Sequence, residues 1–262
     1  MIARKLKLYM ACLALTGTAT AVRADDTSPA QRSLSIGIAG QNTPRYSGSD
    51  KRNWQVVPVV QARDGAFFLD SEKGVGYDLQ SDNGLWLEHT LGYNLGRSER
   101  NSLWRDGSDK LKGMGNINPA VNTAIAVGWS VTSWLTLEGK ATLPLSESQG
   151  VSYQTSVTLV PWQTSTDTVA LSSAALFGDS RYMNTNYGVN IRQSRRSGYS
   201  FYSAPGGFYG VDTSLTWEHQ LTEQWGVLVS VDYQWLGSHA ADSQIVSRRN
   251  EVGTTLGVLY SF

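Results

Sequence analysis

The sequence has one cysteine, three histidines and no long apolar run after its first two dozen residues. The cysteine, Cys12, lies inside that first stretch. Without it, the chain can form no disulfide and can bind no metal through thiolates. A transmembrane helix needs about 20 consecutive apolar residues. The formal net charge of zero gives no basic excess for nucleic-acid binding. Stability must therefore come from packing and from backbone hydrogen bonds.

Residues 1–24 have the build of a secretory signal peptide. Basic residues open the chain, an apolar stretch follows over 8–19, and Val22 and Ala24 supply the small residues of a cleavage site. The apolar stretch is too short to span a bilayer. We predict export of the chain, cleavage after Ala24, and a short periplasmic segment over 25–32.

From residue 33 onward the dominant pattern is a period of two, which is typical of strands with one apolar and one polar face. The clearest example runs from Trp225 to Trp235, where Leu228 alone breaks the alternation. The polar face carries Gly226, Ser230 and Asp232. The apolar face consists of Trp225, Val227, Val229, Val231, Tyr233 and Trp235.

A soluble β-sandwich also alternates, so the length of these strands matters. Ten residue steps at ~3.3 Å, tilted by about 40°, advance about 25 Å, which matches the apolar band of an outer-membrane barrel. Aromatic residues bracket the aliphatic ones, as expected at the two membrane interfaces. The predicted aromatic girdle consists of Trp129, Trp217, Trp225, Tyr233 and Trp235.

The alternation predicts an all-β fold: a closed antiparallel transmembrane β-barrel of about twelve strands over residues 33–262. An even strand number places both termini in the periplasm, with short inner turns and longer outer loops. Two alternatives remain open, because 67–79 could be one bulged strand and 186–191 could be an extra strand. The predicted strands lie near 33–41, 54–63, 66–72, 74–80, 84–95, 119–132, 134–145, 149–163, 166–179, 206–220, 222–238 and 245–262.

The last strand ends in a pattern that resembles the signal read by the barrel assembly machinery. Phe262 is the last residue, Tyr260 precedes it on the same face, and Val258 continues that face. An unpaired amphipathic strand is a template for strand addition. We predict that these residues direct insertion into the outer membrane.

Charged residues with lumen-facing register are mostly acidic, so the interior could favour cations. The alternatives are that they pair with loop arginines folded into the barrel or that they are simply hydrated. The predicted lumen charges are Asp78, Glu88, Glu138, Lys140, Asp212, Glu218, Asp232 and Glu251.

A second cluster of charges lies in the predicted outer loops. Arginine side chains bind phosphates through paired hydrogen bonds, so they are candidate contacts for lipopolysaccharide. Nearby aromatic residues could fold the loop 180–205 over the barrel mouth. The arginines are Arg192, Arg195, Arg196, Arg248 and Arg249.

The sequence contains no recognisable catalytic motif. His89, His219 and His239 fall in separate segments with no second ligand nearby in the pattern, whereas a hydrolase needs a nucleophile, a base and an acid that converge. We therefore predict no enzyme activity, no metal site and no cofactor.

Ordered strings along nearly the whole mature chain resemble the MipA/OmpV family of outer-membrane proteins. The opening matches at Pro44, Tyr46, Gly48, Ser49 and Asp50, and later at Pro58, Gly65, Phe67, Phe68, Leu69, Gly74, Gly76 and Tyr77. The middle matches at Asp179, Tyr182, Tyr187, Gly188, Val189, Ser197, Gly198, Tyr202, Ala204 and Gly206, and the end at Ala241, Asp242, Ser243, Ile245, Val246, Tyr260 and Phe262.

This resemblance implies a non-enzymatic barrel in the outer membrane, in contact with lipid and lipopolysaccharide. For the founding members it implies a scaffold between a murein lytic transglycosylase and a peptidoglycan synthase. We therefore expect a structural or scaffold protein of the cell envelope. The alternative is a narrow channel for small solutes or cations.

Overall fold

The computed structural model describes residues 32–262, which contain fourteen strands. The predicted signal peptide and all but the last residue of the segment 25–32 lie outside this range. The strands are β1 Arg32–Pro44, β2 Arg52–Asp64, β3 Phe67–Asp70, β4 Gly74–Gln80, β5 Leu85–Asn94, β6 Arg97–Ser98, β7 Asp106–Gly107, β8 Ala120–Thr132, β9 Leu135–Pro144, β10 Ser152–Gln163, β11 Asp167–Gly178, β12 Gly207–Gln220, β13 Trp225–Leu236 and β14 Asn250–Ser261.

Twelve of these strands form one closed antiparallel barrel, as the alternation predicts. Each strand pairs with its neighbour along the chain, β5 pairs with β8, and β1 closes the barrel against β14 through pairs such as Ile36 with Tyr260. The two remaining strands, β6 and β7, form a small parallel sheet within one loop. Closure leaves no edge at the seam between the first and last strands.

Side chains alternate between the outer face and the lumen. Val231 and Leu256 are exposed on the outside, whereas Leu228 and Leu259 are buried in the lumen wall against Ala39. Leu228, which breaks the alternation of β13, therefore packs in a small apolar cluster inside the barrel. The sandwich alternative is wrong, because the outer row of β13 is not covered by a second sheet.

The two ends of the barrel differ in their connections. At one end, here the turn end, tight turns such as 65–66, 133–134 and 221–224 join the strands. At the other, here the loop end, long connections carry the helices α1 Ser180–Asn186, α2 Ile191–Ser197, α3 Ser238–Ala241 and the short 3-10 helix Asp109–Leu111. None of the helices within 32–262 is both long and apolar enough to cross a membrane.

Two alternatives that the sequence left open are excluded, and one predicted strand boundary needs correction. The region 67–79 is a hairpin that turns at 71–73 and not one bulged strand. The region 186–191 holds the end of α1 and the start of α2, and its strand character is limited to one bridge between Val189 and Tyr202. The last strand begins at Asn250 and not at 245, because the preceding residues pack into the loops.

Candidate functional site

Four connections at the loop end fold together over the mouth of the barrel. We call them the plug, which consists of 45–51, 95–119, 179–206 and 237–249. Their apolar side chains form two buried clusters, one of them together with Tyr209 of β12 and Leu236 of β13. One cluster contains Met183, Tyr187, Ala204, Tyr209, Leu236 and Ala240, and the other contains Tyr46, Leu111, Met114, Val189 and Ile245.

Local sequence signals fix the two longer helices of the plug. Asp179 caps α1 by accepting a hydrogen bond from the Tyr182 N–H at 2.6 Å. Asn190 and Gln193 form a reciprocal capping box at the start of α2. Gly198 ends α2 with φ of 83°, a left-handed conformation that favours glycine. Each helix is therefore set by residues next to it in the sequence.

The shortest plug connection, 45–51, is held from several sides. The Tyr46 hydroxyl donates to the carbonyl of Ile245 at 2.9 Å, and the N–H of Gly48 donates to the Glu251 carboxylate at 2.9 Å. Asp50 forms an ion pair with Lys110 at 2.6 Å. These contacts join the connection to the last strand and to the loop 95–119. Residues far apart in sequence thus fasten the plug to the wall.

Arg97 is a buried cation in the middle of the plug, with only 8% of its surface exposed. Its Nη1 donates to the carbonyl of Asn186 at 2.6 Å, and its guanidinium lies 6.0 Å from the centre of the Tyr46 ring. Burial lowers the pKa of Arg97 from its ordinary value, and burial raises the pKa of Tyr46 to about 12. Arg97 thereby connects the first, second and third plug segments.

Below the plug, the lumen carries charged side chains on its wall. Arg63 binds Asp78 through two hydrogen bonds of 3.1 and 2.6 Å, and Lys73 binds Glu88 at 2.8 Å. The alternative of pairing with loop arginines is wrong for these two acids, because their partners come from β2 and from the β3–β4 turn. Gln154 donates to Glu138 at 3.3 Å.

The remaining predicted lumen charges line the same interior. Asp212 and Asp232 lie on the neighbouring strands β12 and β13. Lys140 and Asp232 both act electrostatically on Glu72, which lies in the β3–β4 turn. Glu218 is buried on β12. Acidic groups thus outnumber basic ones in the lumen.

A family model described as MltA-interacting protein MipA matches residues 36–262. The chain belongs to the MipA family. It is 25% identical over 245 residues to outer membrane protein YiaT of Escherichia coli, in both the O157:H7 and K12 strains, covering 87% of this chain and 91% of each relative. The predicted localisation is confirmed: this is an outer-membrane barrel.

Solved outer-membrane barrels are similar in fold to this MipA-family chain. The NanC porin is 10% identical with a TM-score of 0.47, and the match covers 86% of this chain and 98% of the porin. The translocator domain of the autotransporter NalP from Neisseria meningitidis is 11% identical with a TM-score of 0.47, covering 90% of each chain.

The predicted girdle and assembly residues of this MipA-family protein have the following positions. The girdle side chains are exposed on the outer face, with Trp129, Trp217 and Trp225 toward the turn end and Tyr233 and Trp235 toward the loop end. Tyr260 packs edge-on against both Trp225 and Phe262. Val258 pairs with Ile38 of β1 beside them.

The predicted lipopolysaccharide arginines lie on two plug segments. All of them are exposed at the loop end. Arg192, Arg195 and Arg196 belong to α2, whereas Arg248 and Arg249 precede β14. Arg249 lies 3.7 Å from the carboxylate of Asp242.

The histidines are as dispersed as the sequence indicates. His89 faces outward on β5 and contacts Thr123, whereas His219 faces outward near the turn end and contacts Asp167 at 2.8 Å. His239 lies in α3. Among residues 32–262, no three His, Cys, Asp or Glu side chains cluster as metal ligands would.

Sequence reasoning missed Arg97 and Glu72. Each of them interacts with residues that are distant in the sequence. Arg97 looked like one more loop arginine, and its burial depends on Asn186 and Tyr46 from distant segments. Its one local signal was its place directly after the left-handed Gly96, whose φ is 70°.

Proposed function

We propose that this protein is a non-enzymatic structural barrel that scaffolds peptidoglycan maintenance at the outer membrane. The plug is the observation that supports a closed barrel and argues against an open pore, since two buried apolar clusters hold its segments together at the loop end. The description of the family, MltA-interacting protein, supports a murein enzyme as partner. Both termini are periplasmic in this proposal, and the loop end faces outward, because outer loops are the longer ones.

A partner in the periplasm would contact the turn end. The turns there are short, so we propose that the segment 25–32 and the turns share the contact. Its partners would be a murein lytic transglycosylase and a peptidoglycan synthase. A pull-down from envelope extract with the tagged barrel should recover these enzymes. Removal of residues 25–31 should reduce recovery, whereas removal of 192–205 from the plug should not. Equal loss in both variants would count against a contact at the turn end.

The loop arginines are proposed to bind lipopolysaccharide phosphates. Their exposure at the loop end supports this role. Replacement of Arg192, Arg195 and Arg196 by alanine should lower the amount of lipopolysaccharide that copurifies with the barrel. Lysine at the same positions should restore part of it, because the charge remains while the paired hydrogen bonds are lost.

A narrow cation channel is the second candidate, and the acidic excess of the lumen favours it. In planar bilayers the intact barrel should be almost silent because of the plug. Deletion of 192–205 should open a small conductance that prefers potassium over chloride. A cation-selective current in the intact protein would favour the channel over the scaffold.

A further inference from the structure

The barrel wall has a gap above the β3–β4 hairpin. β3 has 4 residues and β4 has 7, whereas β2 has 13 and β5 has 10. The last contact of the hairpin with β2 is at Val60, where Ser71 donates its N–H to the Val60 carbonyl at 2.9 Å. From Val59 back to Arg52, β2 pairs with β1 alone. On the far side, the pairing of β4 with β5 stops at Leu91.

The size and depth of the gap follow from strand geometry. The upper halves of two strands are missing between β2 and β5. These two strands therefore lie about 14 Å apart at the gap, at ~4.8 Å for each of three strand spacings. The seven residues of β4 rise only about 15 Å at a tilt of about 40°, which is less than the apolar band of about 25 Å. The gap therefore lies at membrane depth, in the half of the bilayer nearer the loop end. We call it the side window.

One side of the side window is an unpaired strand edge. Both backbone groups of Val60 face Ser71, and in a regular strand every second residue faces the same way. Trp54, Val56 and Pro58 therefore direct their backbone groups into the gap. Within residues 32–262, no hydrogen bond reaches the main chain of Trp54 or Val56 from that side.

An unpaired edge in hydrocarbon is costly unless water reaches it. Pro58 lowers that cost because it has no N–H, and proline within a sheet is typical of edges that stay unpaired. The side chains of Trp54 and Val56 are 74% and 68% exposed, so no described residue packs over the outer face of this edge, and the loop 95–119 reaches β2 only above it, where Asn53 donates to the Ser102 carbonyl at 3.3 Å. These features favour an open, hydrated gap over a docking edge for another strand.

The chemistry changes sharply across the side window. Its outer rim is apolar, with Trp54, Val56, Tyr93 and Leu95 all exposed. At its lower edge, Asp70 accepts hydrogen bonds from the N–H groups of Glu72 and Lys73. Glu72 is exposed to solvent and interacts electrostatically with Lys140 and Asp232 across the lumen. A molecule in the gap thus meets lipid on one side and a hydrated acidic lumen on the other.

We propose that the side window binds a small cationic amphiphile, with its apolar tail among Trp54, Val56 and Tyr93 and its positive group near Glu72 and Asp232. The plug covers the axial route at the loop end, and the side window offers a lateral route from the membrane to the lumen. This site does not depend on the scaffold role, and its test requires no partner protein.

The test uses the mature barrel in phosphatidylcholine nanodiscs, titrated calorimetrically with decyltrimethylammonium. Empty nanodiscs give the contribution of simple membrane partition. The barrel should add a saturable single-site component that tetramethylammonium, which has no tail, does not give. Decyl sulfate, which has the opposite charge, should bind at least about tenfold more weakly, a difference of about 1.4 kcal/mol.

Two variants separate the side window from other sites. Glu72→Gln combined with Asp232→Asn should weaken binding about tenfold, whereas Asp82→Asn, in a turn at the turn end, should leave binding unchanged. A longer β3–β4 hairpin, with three residues added to each strand, should fill the gap and abolish binding. Heat-modifiable migration in gels checks that each variant is folded, and the charge variants remain informative if the longer hairpin misfolds.

Three results would overturn the proposal. One is the absence of any component beyond that of empty nanodiscs. Another is equal binding of decyl sulfate or of tetramethylammonium, which would indicate nonspecific partition or an ion site within the lumen. The third is rapid disulfide dimerisation of Trp54→Cys in the membrane, which would show that a second copy pairs with the free edge instead.

Discussion

The wall and the plug of this barrel are stabilised by different physical means. In the wall, backbone hydrogen bonds join twelve strands into a closed barrel, and lipid solvates one row of side chains. In the plug, apolar clusters and a few buried polar contacts hold irregular segments together. The comparison indicates that the plug can loosen while the wall stays intact. Each prediction below acts on one of the two regions.

The largest effect is expected in the wall, from loss of its last aromatic residue. Removal of Phe262 should lower the amount of barrel in the outer membrane at least about tenfold, because the assembly signal loses its terminal ring. Immunoblots of membrane fractions measure this. Phe262→Tyr should assemble normally, and normal assembly of the truncated chain would contradict the prediction.

A core truncation should loosen the plug alone. Met183 is fully buried in the larger apolar cluster, and Met183→Ala should destabilise the plug by about 3 kcal/mol. Faster hydrogen exchange across 179–206, with unchanged exchange in β12–β14, would show separate stability. Equal acceleration in both regions would mean that the plug and the wall unfold together.

In the wall, the close packing of Gly128 against Trp86 can be disrupted by a substitution that leaves the plug unchanged. A Cβ atom on Gly128 would lie 2.1 Å from the ring of Trp86, so Gly128→Ala should destabilise the barrel by about 2 kcal/mol. The temperature at which the folded form disappears from gels should fall. Adding Trp86→Leu should recover part of the loss. No recovery would indicate backbone strain instead of the ring contact.

Alkaline pH should loosen the plug before the wall. Burial raises the pKa of Tyr46 to about 12, above the unfolded value of about 10. Because the folded plug favours the neutral hydroxyl, its stability should fall as the pH rises from about 10 to about 12 and stay constant below. Hydrogen exchange of the plug against pH measures this. Tyr46→Phe should reduce that pH dependence without abolishing it, because burial also raises the pKa of Tyr182 and Tyr187, and identical profiles would contradict it.

The smallest effect concerns one helix cap. Asn190 accepts from the N–H of Gln193 at 2.9 Å, and Asn190→Ala should cost about 1 kcal/mol within α2. Exchange should increase over 190–198 only. Asn190→Ser, which keeps a capping oxygen, serves as the control.

The wall was predictable from the sequence because its signal is local. Alternation is visible in neighbouring residues alone. Because lipid meets one face of each strand and the lumen meets the other, the alternation is pronounced, and Trp225–Trp235 is recognisable as a strand without any other information. The seam between Ile36 and Tyr260 follows once all strands are counted. The β3–β4 hairpin was harder, because Gly74 and Gly76 weaken the pattern at its turn.

The plug was not predictable to the same degree. Its contacts join segments that are far apart, such as Arg97 with Asn186 and Gly48 with Glu251. Single residues in such contacts carry no periodic signal. The caps at Asp179 and Asn190 were readable in principle, since an Asn with a Gln three residues later is a helix start, but the surrounding polar composition favoured a plain loop.

The pairing of β1 with β14 has a consequence for biogenesis. These strands stand at opposite ends of the polypeptide, and eight residue pairs from Ser35–Ser261 to Asn42–Thr254 join them. Such a long-range junction carries a large entropic cost and forms late in folding. A chain cut short by a premature stop lacks β14 and therefore keeps two unpaired strand edges. Envelope proteases should degrade such a chain, so only a chain exported to its last strand forms a protected barrel.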